Sequence, residues 1–206
     1  MQRFGAVAVL TAAAFVTTLA SAAFAQSVQA NVRGQVVALD GSELTVKTKD
    51  ATVKVTMADN FRVFSVVKSD LSKIGPGTWI GTAAVPQADG TYRALEIQLF
   101  DQANHPNESD APYDLAPAST MTNAAITTMT VATVGTVEGR MIVFKLKDGD
   151  KKVFVPLSAP VVAFEPGAKT AIVPGANVTV LARRSPDGAY AGGAIAVGKD
   201  GIIPPF

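Results

Sequence analysis

The sequence predicts an all-β chain built from two tandem modules, and three observations carry that reading. Apolar residues recur two apart over short runs, as in Leu44-Thr45-Val46 and Val53-Lys54-Val55-Thr56-Met57, which is the period of a half-buried strand and not of a helix. Asp-Gly and Pro-Gly turns separate these runs. The pattern then returns: Pro76-Gly77 is matched by Pro174-Gly175 and Asp89-Gly90 by Asp187-Gly188, each 98 residues on (174 − 76; 187 − 89). Tyr92/Tyr190 and Ile97/Ile195 keep the same step. Five short strands and one helical turn suit a small, partly open, five-stranded OB-like β-barrel, so two such barrels in tandem are expected. A β-sandwich of equal strand count is the alternative.

Residues 1–25 read as an address. Arg3 is the only cation, an apolar run extends from Phe4 through Ala20, and Ala23-Phe24-Ala25 is the small-x-small pattern of a signal peptidase site. A Sec-type signal peptide cleaved after Ala25 places the protein in the periplasm. An uncleaved anchor is the rival reading. After Ala25 no apolar run is long enough to span a bilayer as a helix, so no transmembrane domain is expected in the mature chain. The chain has no cysteine, which removes disulfides and thiolate chemistry and leaves apolar burial to stabilise it. Lys and Arg number 18 against 17 Asp and Glu; without Arg3 the balance is 17 to 17. Such a chain has no net field to draw it to nucleic acid, which is not expected as a partner.

The first module covers residues 26–100. Val32, Val36 and Ala38 open a strand that turns at Asp40-Gly41; Leu44 and Val46 form the second strand, and Val53, Val55 and Met57 the third. Ser69-Asp70-Leu71-Ser72-Lys73-Ile74-Gly75 holds a capping residue and a terminal glycine, as one helical turn requires. Strands over residues 78–85 and 91–99 flank the Asp89-Gly90 turn. Residues 101–127 form a Pro/Asn/Asp-rich linker.

The second module covers residues 128–206 with its tail. Its first strand is expected over residues 131–137, turning at Glu138-Gly139; Ile142, Phe144 and Leu146 follow. Val153, Val155 and Leu157 mirror Val53, Val55 and Met57 at a step of 100, and Glu165-Pro166-Gly167 suggests loop in place of the helical turn. Val178, Val180 and Ala182 face inward in the fourth strand, and Ile195 or Val197 lines the core in the fifth. The tail ending in Phe206 is expected to dock on a module; Pro204-Pro205 cannot extend a ladder.

Few residues point to chemistry. The 98-residue step sets Trp79 opposite Asn177 and Ile80 opposite Val178, so Trp79 faces away from its core, either covering an edge or offering a stacking surface. Tyr92 and Tyr190 recur beside the Asp-Gly turns and join Trp79 as ligand-binding candidates. The linker holds the sole histidine, His105, with Asp101, Glu108, Asp110 and Asp114, a donor set for a divalent metal ion, though its spacing fits no calcium loop. With one histidine and no cysteine, a Ser-His-Asp or Cys-His site has no anchor, and no phosphate loop occurs.

Gly77-Thr78-Trp79-Ile80-Gly81, Ala84 through Thr91, Arg93-Ala94-Leu95-Glu96, Pro112-Tyr113-Asp114-Leu115, Ser119-Thr120-Met121-Thr122-Asn123 and Val197-Gly198-Lys199-Asp200-Gly201 together resemble a family of uncharacterised proteobacterial exported proteins. The likeness covers nearly the whole mature chain. Such proteins are commonly labelled a domain of unknown function or metal-transport related. Their linker carries a Gly-Glu-Gly-His segment, whereas this chain has Asn107-Glu108-Ser109-Asp110-Ala111 without that histidine. The expectation is an exported, non-enzymatic binding or interaction protein without a cofactor, whose partner is a protein or small ligand in the periplasm. The alternative is a periplasmic metal-binding accessory protein that uses the acidic linker.

Overall fold

The computed structural model describes residues 27–206, so the signal segment expected over residues 1–25 lies outside the described residues. Fifteen strands follow in chain order: β1 (Val28–Gln29), β2 (Val32–Asp40), β3 (Glu43–Lys47), β4 (Thr52–Lys68), β5 (Trp79–Pro86), β6 (Tyr92–Ala94), β7 (Ile97–Leu99), β8 (Ser109–Pro112), β9 (Thr120–Ala125), β10 (Thr128–Val134), β11 (Val137–Leu146), β12 (Gly149–Pro156), β13 (Val161–Pro166), β14 (Asn177–Arg184) and β15 (Tyr190–Gly198). Short 3₁₀ turns occupy Leu71–Lys73, Lys169–Ala171 and Lys199–Gly201. The chain is all-β, as its two-residue periodicity predicts: Leu44 and Val46 are buried while Glu43 and Lys47 between the turns are exposed.

Five strands close a barrel. β2 pairs with β3, β3 with β4, β4 with β15, β15 with β14, and β14 returns to β2. Every pair is antiparallel except β4 with β15. Val32, Val36, Leu44, Val46, Val55, Met57, Val178, Val180, Ile195 and Val197 fill its interior. Both Ile195 and Val197 line this core.

The barrel therefore draws three strands from the first sequence half and two from the second. This corrects the expectation that residues 26–100 and 128–206 each close on their own strands. The cause is the length of β4. Its 17 residues span about 55 Å, far beyond what one small barrel needs, so the chain leaves for the other end of the molecule before β5 begins. There β5 pairs with β6, β7 and β9, while β12 pairs with β6 and β11, and β10 forms a hairpin with β11. Ile80, Ala84, Ile97, Ile126, Ile142, Phe144, Val153 and Val155 pack between these strands. The second half of β4 pairs antiparallel with β13, joining the two groups, and Val66, Val162, Ala196 and the buried Phe206 pack there. The tail docks as expected.

The repeat is real in register as well as in sequence. Tyr92 pairs with Val153 as Tyr190 pairs with Val55, and Ile97 with Val161 as Ile195 with Val63. The step is 98 throughout these pairs, so Val55 and not Val53 is the counterpart of Val153, which corrects the step of 100. The helical turn is also retained, because Lys169–Ala171 stands 98 residues after Leu71–Lys73. Gly77 and Gly175 have φ of 84° and 85°, the left-handed conformation their Pro-Gly turns require.

The first strand differs. Thr82 pairs with Thr122 where its counterpart Val180 pairs with Val32, a step of 90 (122 − 32). Residues 120–125, expected to be linker, thus form the opening strand of the second copy, and Ile126 is a core residue. The deficit of eight residues (98 − 90) is recovered in the β10–β11 hairpin, which is longer than β2–β3 by that amount. Its turn is Gly135-Thr136 and not Glu138-Gly139. Gly139 lies within β11, where an added Cβ would stand 2.3 Å from the Val155 carbonyl oxygen.

Candidate functional site

Two turns and the start of β8 enclose a polar cleft of about 690 Å³. The β5–β6 turn contributes Asp89, Gly90 and Thr91; the β11–β12 turn contributes Lys147, Asp148, Gly149 and Asp150; Glu108, Ser109 and Asp110 close the third side. Gly90 (φ 80°) and Gly149 (φ 124°) supply the backbone conformations that reverse the chain within so few residues. Asp89 stiffens its turn by accepting from the Thr91 hydroxyl (2.7 Å) and backbone N–H (2.9 Å), bonds that hold its carboxyl below the usual carboxylate range.

Lys151 and Tyr92 form the floor. The Lys151 side chain is nearly inaccessible, and its ammonium donates to Asp110 Oδ1 at 2.7 Å and to Thr120 Oγ1 at 2.7 Å. It also sits 4.0 Å from the centroid of the Tyr92 ring. Thr122 donates its hydroxyl to the same Asp110 oxygen at 2.9 Å. Burying a charge this deeply is costly unless its donors are satisfied, and here carboxylate, hydroxyl and aromatic face share them. The result is a rigid charged and aromatic surface under a rim of exposed acids and lysines.

The structure scatters the other expected residues. Tyr190 lies on the closed barrel beneath Arg184, whose guanidinium carbon is 5.6 Å from the ring centroid. Trp79 does point away from its core and is covered by His105, the two rings stacked with centroids 3.8 Å apart and planes 19° from parallel. His105 Nδ1 lies 3.0 Å from the Pro106 carbonyl oxygen. Asp101 accepts from Ala103 N–H and Asn104, which lower its pKa. For Asp114 burial works to raise the pKa, but Arg33, in two contacts of 2.6 and 3.2 Å, and Asn31 prevail and hold it low. Of the five proposed metal ligands only Glu108 and Asp110 share the cleft, and among the described residues no group of three or more His, Cys, Asp or Glu side chains is placed to hold a metal ion.

A second polar position escaped the sequence reading. Glu96 is fully buried; Oε1 accepts from the Ala83 N–H at 2.7 Å and from Gln98 Nε2 at 3.3 Å, while Oε2 has no partner. Burial pushes its carboxyl up to about 8. Burial also raises the nearby Tyr113 phenol to about 12, and that hydroxyl accepts from Asn31 Nδ2 at 3.1 Å. The repeat could have flagged both Glu96 and Lys151: their counterparts 98 residues away are Ala194 and Val53.

No protein-family model, curated protein or solved structure matches the chain.

Proposed function

We propose that this protein is an exported, non-enzymatic binding module made of two interleaved OB-like barrels, and that its ligand occupies the cleft over Tyr92 and Lys151. One observation carries the proposal. OB-type barrels hold ligands on their second and third strands and at the loop between the fourth and fifth. In the group around Phe144 those elements are β11, β12 and the β5–β6 turn, and the cleft lies against them. The Lys151 ammonium is locked by Asp110, Thr120 and Tyr92, an arrangement suited to holding and not to proton transfer. Export rests on residues 1–25 alone.

Of the chain ligands that such barrels take, a neutral oligosaccharide suits this cleft best. On the rim Asp89, Glu108, Asp148 and Asp150 outnumber Lys147 and Lys152 and disfavour a polyphosphate backbone, while Tyr92 and the rim side chains supply a ring face and hydrogen-bonding groups. Titration of ¹⁵N-labelled protein with a panel of neutral oligosaccharides tests it. Shifts confined to the Asp89-Gly90 turn and residues 147–152, lost in Tyr92→Ala, are expected. An unresponsive cleft, or shifts centred on the apolar groove around Leu71, Leu157 and Ile203, would overturn it.

A further inference from the structure

We infer that the outer edge of β10 is a dimerisation edge that pairs antiparallel with the same strand of a second copy. β10 pairs with β11 on one side and, among the described residues, with no strand on the other. Its counterpart in the first copy is the β3-paired end of β2, which β14 leaves open beyond Gln35. That copy also closes its barrel with a hairpin eight residues shorter. The extra length is therefore not needed by the fold, and it projects an unpaired edge.

Natural edge strands are protected from pairing by lysines, prolines, bulges or inward charges. The sequence of β10, TMTVATV, has no charge and no proline, and Thr128, Thr130, Val131, Thr133 and Val134 are β-branched, the residue class that favours strands. Val131 is 77% exposed and Val134 42%. Nothing on this strand selects a charged partner, whereas a copy of itself meets neither like charges nor a missing donor.

The hairpin fixes the geometry of pairing. Its two-residue turn closes on the Val134–Val137 pair, so Ala132, Thr130 and Thr128 direct their backbone groups to β11. Met129, Val131 and Thr133 direct theirs outward. Two copies related by a twofold axis at Val131 place Val131 opposite Val131 and Met129 opposite Thr133, forming about six backbone hydrogen bonds.

Sedimentation velocity on the purified protein, expressed from residues 1–206 and run across a concentration series, tests this. A concentration-dependent dimer is expected. Val131→Pro removes an outward N–H without breaking the β10–β11 ladder, and Val131→Lys sets two ammonium groups together at the axis. Each should weaken dimerisation at least tenfold while far-UV circular dichroism stays that of the parent, and Val131→Thr should leave it intact. A protein that stays monomeric at several hundred micromolar overturns the inference, as does a dimer indifferent to both Pro and Lys.

Discussion

At the start of β4 the side chain turned toward the closed barrel is Val53, an ordinary partly buried aliphatic. At the same station of β12 stands Lys151, buried and bonded to Asp110. Where β15 carries Ala194, the two-residue break between β6 and β7 carries Glu96. Where β2 and β3 meet in a short turn, β10 and β11 run on as an arm. The two copies share strand order and registers yet differ at these three places. Shared positions such as Leu44 and Ile142, both fully buried, maintain the cores. The departures cost stability, or add exposed chain, without serving closure, and the second group holds them all.

The interleaving itself offers the hardest test. Residues 26–100 lack β14 and β15, and residues 128–206 lack β5, β6, β7 and β9, so either fragment alone should lose its cooperative unfolding transition. Mixing residues 27–100 with 101–206 should restore the transition and the parent's circular dichroism. A folded, cooperatively melting fragment of either kind would break the comparison.

A smaller effect belongs to Glu96. Its folded carboxyl keeps a proton that the unfolded chain releases near the ordinary value, so the folded state binds more protons between about pH 4.5 and about 8. Stability must therefore fall as pH rises through that window and level off above it. Urea unfolding at pH 5 and pH 8 should differ by ~2–4 kcal/mol from this group. Glu96→Gln keeps an oxygen for the Ala83 N–H and should flatten that dependence. An unchanged slope in the variant would remove Glu96 as its source.

Lys151 comes last. Replacing it with methionine keeps the length of the stem but leaves Asp110 and the Thr120 hydroxyl without the ammonium. Because Asp110 is a third exposed, the expected loss is only ~1–3 kcal/mol, read as a lower urea midpoint. The reciprocal Val53→Lys, which puts an ammonium where no carboxylate awaits it, should cost at least as much. If it costs nothing, the two stations are not equivalent environments.

Strand identity and the repeat were legible because both are local. Alternation marks Leu44, Val46, Ile142 and Phe144 without reference to what they touch. Partner choice was not legible, because β4 gives no sign in its residues of whether β5 or β14 will lie near β2. The length of the apolar run through Val66 and Val67 was the available hint. A step of 100 aligned Val53 with Val153 and so hid Lys151 opposite Val53. The registers restore 98 and expose the substitution. Tyr92 and Asp110 were visible as candidates, but their meeting depends on Thr120 and Thr122 being strand, which the polar composition of residues 101–127 concealed.

The parallel contact between residues 55 and 190 has a consequence in time. A ribosome delivers β2, β3 and β4 long before the two strands that complete their ring. Until residue 198 has emerged those aliphatic stripes have no lid, and an early nascent chain cannot lock into its final shape. Maturation is thereby tied to the arrival of the last pair of strands, with slow, non-local closure as its kinetic signature.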